Sequence, residues 1–115
     1  MKAYIQNSQL GIETKIESES ILNRQLKQLL EFEIKDVIID QDSLEYCRSL
    51  DLPMNFLIDY DSNEDILKIQ GNLVFENALL DEILRYPGTC EIPNCIQKIF
   101  RTSGKSKYLV RYAHD

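Results

Sequence analysis

Residues 59 to 70 read DYDSNEDILKIQ, and the first half of this stretch places oxygen-bearing side chains at Asp59, Asp61, Asn63 and Asp65. Asp and Asn at every second position is how an EF-hand loop presents ligands to calcium. That loop also needs glycine at its sixth position, where the chain turns with φ > 0, and a bidentate Glu at its twelfth. Counted from Asp59, these positions hold Glu64 and Gln70. Gln70 offers one neutral oxygen where two charged ones are required. The flanks, FLI and ILKI, suit strands better than the two helices of an EF-hand. The stretch is therefore expected to be a hairpin turn whose Asp and Asn side chains bond their own backbone, with no metal.

The charge still needs an account. Asp59, Asp61, Glu64 and Asp65 crowd into seven residues, and Asp40 and Asp42 end a neighbouring predicted strand. Like charges this close repel one another, and salt screens them only in part. Such a cluster is either a solvated acidic face or a contact surface relieved by a cationic partner. Tyr60 lies inside it, and tyrosine is enriched at interface hot spots. The expected partner-binding set is Asp40, Asp42, Asp59, Tyr60, Asp61, Glu64 and Asp65.

Other reactive residue types form no recognisable constellation. Cys47, Cys90 and Cys95 are odd in number, which favours free thiols in a reducing compartment. Cys90 and Cys95 are spaced more widely than CxxC, and zinc would need further ligands where the sole histidine is His114. No Ser or Cys is tied by motif to that histidine and a carboxylate, so nucleophilic catalysis lacks its base. SGKS at 103 to 106 ends like a phosphate-binding loop but lacks the earlier glycine, and a turn is preferred. No catalytic residue, cofactor or metal is expected.

The elements that must carry these residues follow from periodicity. KAYIQ near the N-terminus alternates as a strand, and Leu10 to Ile16 is expected to be a second short one. Serines 18 and 20 offer N-caps for a helix over about 20 to 31, with Ile21, Leu22, Gln25, Leu26, Leu29 and Leu30 on its stripe. FEIKDVIID, Phe32 to Asp40, reads as a buried strand. Asp42 and Glu45 loosely form a capping box for a short helix ending before Leu52-Pro53. Asn55 to Tyr60 and Asp65 to Gln70 flank the acidic stretch as strands. Asn72 to Tyr86 is expected to be a helix stopped by Pro87-Gly88, and Ile96 to Arg101 with Lys107 to Tyr112 a β-hairpin. Without a regular βαβ rhythm, the expected fold is a single α+β domain over 1–115, mainly an antiparallel sheet with two or three helices packed on it.

Bulk properties narrow the function classes. The 115 residues suit one domain, with 43% hydrophobic and 28% charged residues in the globular range. No apolar run is long enough to span a membrane, and MKAYIQNS lacks a secretion-signal core, so a cytoplasmic location is expected. The net charge of −6 is unevenly spread. Residues 31 to 82 hold fourteen acids against three bases, whereas 96 to 112 hold five bases and no acid. An acidic chain repels phosphate, so general nucleic-acid binding is not expected. The leading expectation is a protein-binding inhibitor of the immunity or antitoxin type, neutralising a basic partner such as a nuclease toxin. An adaptor binding through a sheet edge or the basic C-terminal hairpin is the alternative. In the hairpin, Lys105 and Lys107 with Tyr108 and Tyr112 would meet an acidic partner or RNA. A small enzyme using carboxylates is the third reading.

Overall fold

The computed structural model describes residues 1–61, 66–85, 95–103 and 106–113, with side chains described over 1–61 and 66–85. Strand β1 (Lys2–Gln6) buries Ala3 and Ile5 on one face and turns Lys2, Tyr4 and Gln6 to the other. Asn7, at φ 53°, swings the chain into a six-residue helix, α1 (Ser8–Glu13). A small hairpin follows, β2 (Lys15–Ile16) and β3 (Glu19–Ser20), closed by Glu17 and Ser18 at φ 52° and 71°. Two successive positive φ values are the signature of a type I′ turn.

Helix α2 (Ile21–Glu31) begins where Ser20 Oγ accepts the Asn23 N–H at 3.1 Å. It ends in a Schellman motif. Ile34 N–H donates to Leu29 C=O at 3.0 Å and Glu33 N–H to Leu30 C=O at 3.0 Å, with Glu33 at φ 61°. That turn shortens the following strand, β4, to Asp36–Ile38. A 3-10 turn (Gln41–Ser43) leads into α3 (Leu44–Ser49) and the short strand β5 (Asn55–Leu57). Then come β6 (Ile66–Gln70), α4 (Asn77–Arg85), β7 (Cys95–Ser103) and β8 (Ser106–Ala113).

The main sheet has the order β5-β4-β1-β6-β7-β8. Its first four strands are parallel: β1 pairs with β4 and with β6, and β4 with β5. Only β7 and β8 run antiparallel, against β6 and against each other. The expectation of a mainly antiparallel sheet is thus overturned, and four helices rather than two or three stand among the described residues. The fold remains α+β, with a mainly parallel four-strand sheet and an antiparallel pair at its edge.

One core gathers Ala3, Ile5, Val37, Ile39, Leu67 and Ile69 from the sheet with Leu22, Leu26 and Leu29 of α2. Cys47 of α3 and Leu79, Leu80 and Ile83 of α4 join it. These helices therefore lie on one face of the sheet. The connections β1→β4 and β4→β5 both step the same way across the sheet, and right-handed crossovers put both on that face. From β5 to β6 the chain steps back in the other direction past β4 and β1.

This corrects the hairpin reading of the acidic stretch. β5 and β6 are not neighbours but parallel strands separated by β4 and β1, so the two do not form a hairpin. The stretch expected as a strand at Leu10 to Ile16 is mostly α1, with only Lys15–Ile16 extended. The helix expected from Asn72 starts at Asn77, because α2 holds the backbone of the preceding turn and loop. Gln25 Nε2 donates to Gln70 C=O at 3.0 Å and Leu73 C=O at 2.8 Å, and Gln28 Nε2 to Phe75 C=O at 2.8 Å. The C-terminal hairpin is present as β7 and β8, while Gly104 and Lys105 of its SGKS turn lie outside the described residues. Among the described residues, no helix is long and apolar enough to cross a membrane.

Candidate functional site

Ligands of open α/β sheets commonly sit beyond the carboxyl ends of the strands, where successive connections diverge. Here β1 leads toward β4 and β6 leads toward β7, so that point lies between Gln6 and Gln70. It is closed backbone to backbone. Gly71 N–H donates to Gln6 C=O at 2.7 Å, and a Cβ on Gly71 would meet Asn7 O at 2.2 Å. A Cβ on Gly11 would in turn meet Gly71 O at 2.4 Å, so the two glycines permit one close stack of three chain segments. The described residues leave no gap between these strand ends.

The carboxyl ends of β4 and β5 carry the acidic residues instead. Ile38 and Leu57 are Cα partners, and Asp40 and Asp59 each follow two residues later. Asp40 has a structural task. Its Oδ2 accepts the Ser8 N–H at 3.0 Å at the start of α1, while its own N–H donates to Ser8 Oγ at 3.2 Å. The hydroxyls of Ser8 and Ser43, both fully buried, share a hydrogen bond of 2.7 Å. Reciprocal bonds of this kind satisfy helix-end donors as a capping box does, here between residues far apart in sequence.

Asp42 in the 3-10 turn, and Asp59 and Asp61 after β5, are exposed. Glu64 and Asp65 lie outside the described residues, as does Asn63. Among the described residues, no group of three or more His, Cys, Asp or Glu side chains is placed to hold a metal ion.

Tyr60 anchors the chain after β5 to the sheet. Its ring centroid lies 5.3 Å from that of Tyr4, tilted by 49°, and Lys68 Nζ stands 5.9 Å from the Tyr60 centroid. Tyr4 and Lys68 are Cα partners on β1 and β6. The contact places Tyr60 over the sheet face opposite the helices. Burial, then the Asp40 carboxylate, then Tyr60 push the Tyr4 phenol above its usual pKa, since each disfavours a phenolate.

Two features escaped sequence reasoning. Ile58, within a segment read as strand, is 45% exposed beside Asp59. A shallow groove of about 600 Å³ is lined by Lys2 of β1, Asp36 of β4, Asn55, Phe56 and Leu57 of β5, and Arg48 and Met54 before it. Neither has a sequence signature, because both depend on which strands β5 joins. Compared with known proteins, the chain matches no family model and no curated protein.

Proposed function

We propose that the chain is a non-enzymatic, protein-binding inhibitor of the bacterial immunity or antitoxin type, acting in the cytoplasm on a basic partner such as a nuclease toxin. The observation that carries this reading is the acidic end of the sheet. Exposed Asp42, Asp59 and Asp61 there accompany an exposed Ile58 and a half-buried Tyr60. An apolar residue and an aromatic ring bordered by carboxylates supply the two parts of a tight interface, a desolvated anchor and a charged rim. Nuclease surfaces are positive because they bind phosphate, and opposite charge accelerates the encounter.

The test is calorimetric titration of a purified basic nuclease toxin, alongside a nuclease assay. Replacing Asp42, Asp59 and Asp61 together with Asn is expected to weaken binding about ten- to hundredfold and to flatten its salt dependence. Affinity and salt slope that stay unchanged would remove the acidic end from the mechanism. Binding without loss of nuclease activity would reject the inhibitor reading.

A further inference from the structure

The sheet face opposite the helices has a small apolar layer of its own. Leu57, Ile38, Tyr4 and Lys68 are successive Cα partners across β5, β4, β1 and β6, so they form one row. Val37, Ile39, Ile5 and Leu67, which alternate with them, belong to the helix-side core, and the row therefore lies on the other face. Ile38 in that row is 1% exposed, as is Ile66 next to it on β6, and Tyr4 is half-buried. The Tyr60 ring is seated on this layer, 5.3 Å from the Tyr4 ring and 5.9 Å from Lys68 Nζ. Exposure alternates along the same stretch: Asp59 and Asp61 are exposed and Tyr60 between them is half-buried.

We infer that Tyr4 is a positioning residue for the proposed contact surface: by seating the Tyr60 ring it fixes Asp59 and Asp61 in place before a partner arrives. This rests on the reading of the acidic end as that surface. Two like charges flanking one residue repel each other, and a segment free to move would let them part. The seat opposes that movement. An aromatic pair favours its bound form by about two- to tenfold beyond the area it buries, and a cation within about 6 Å of a ring adds a factor of about two to five. Only the seated form holds the two carboxylates in one arrangement, so the apparent affinity for a basic partner falls as the seated population falls. Tyr4 itself brings no charge to the surface. Burial, then Asp40, then Tyr60 raise its phenol above the usual pKa and keep it neutral.

Nitrogen-15 relaxation on the free chain tests the seating, and calorimetric titration of a purified basic nuclease toxin tests its consequence. The amides of Asp59, Tyr60 and Asp61 should be as rigid as the strands, with order parameters near about 0.85. Tyr4→Leu should lower them below about 0.6 while those of α2 stay unchanged, and Tyr4→Phe, which keeps the ring, should leave them high. Tyr4→Leu should also weaken toxin binding about two- to tenfold, with no further loss when added to Tyr60→Leu, because both remove the same contact. Low order parameters in the original chain, or high ones in Tyr4→Leu, overturn the inference with no toxin involved. A toxin that binds the original and Tyr4→Leu chains equally overturns it as well, and leaves the inhibitor reading to the Asp42, Asp59 and Asp61 variant. Failure of the toxin to bind a chain in which Tyr60 is seated rejects the inhibitor reading instead.

Discussion

Gln25 is 1% exposed and its amide nitrogen holds two backbone carbonyls, those of Gln70 and Leu73, where β6 turns toward α4. Two substitutions separate shape from charge at this point. Gln25→Met keeps the length and loses two hydrogen bonds, for about 2 kcal/mol at about 1 kcal/mol each. The loss is tempered because Gln25 Oε1 has no partner, so one unsatisfied acceptor goes too. Gln25→Glu is nearly isosteric, but an ionised carboxylate would face two carbonyl oxygens away from water. It can stay folded only by keeping its proton, and burial raises such a carboxyl by roughly 3 units or more. The glutamate pKa is then higher in the folded chain than in the unfolded one, near 4.3. Folding is least penalised below about pH 4, and stability falls as pH rises toward the folded pKa. At neutral pH the added penalty is about 4 kcal/mol, most of the stability of a small domain. Urea unfolding at about pH 4.5 and about pH 7.5 should show Gln25→Met displaced equally at both. Gln25→Glu should approach Gln25→Met in acid and be mostly unfolded near neutrality. Equal stability of the two variants at both values would refute the claim that this amide is dry and holds both carbonyls.

Gly71→Ala places its Cβ 2.2 Å from Asn7 O and 2.9 Å from Gln6 O, both backbone atoms, so β1 and the β6 turn must part. The expected cost is about 3 kcal/mol, overpacking plus the lost Gly71–Gln6 bond, read as a lower urea midpoint at unchanged m. A shift under about 1 kcal/mol would mean that the junction is loose. Cys47 is fully buried, and burial pushes its thiol from 9.0 up to about 12. Its contribution to stability is complete below pH 9.0 and is lost as pH climbs from there toward about 12, because only the unfolded thiol ionises in that interval. In a chain with Cys90 and Cys95 replaced by Ser, Cys47 should react with a thiol reagent at mildly alkaline pH only as fast as the protein unfolds. Immediate labelling of the native state would contradict its burial.

Local periodicity was readable where one helix face meets one core. The stripe of α2 and its Ser20 cap stand where the spacing puts them, and Gln25 falls on the buried face as its position in that stripe implies. Strand direction was not readable. A strand buried between parallel neighbours shows as an apolar run such as VII, which carries no mark of orientation. Eight residues, 58–65, separate β5 from β6, a spacing that a hairpin loop and a connection between parallel strands both allow. Two turns hid for a further reason. Positive φ is carried by Glu17, Ser18 and Glu33, residues that give no glycine signal. The end of α2 is set by the backbone bonds of Ile34 and Glu33, and the β2–β3 turn by the exposed pair Glu17 and Ser18. The same limit touches the site: Asp40 looked like a member of an acidic surface, yet its carboxylate is bonded to the first turn of α1.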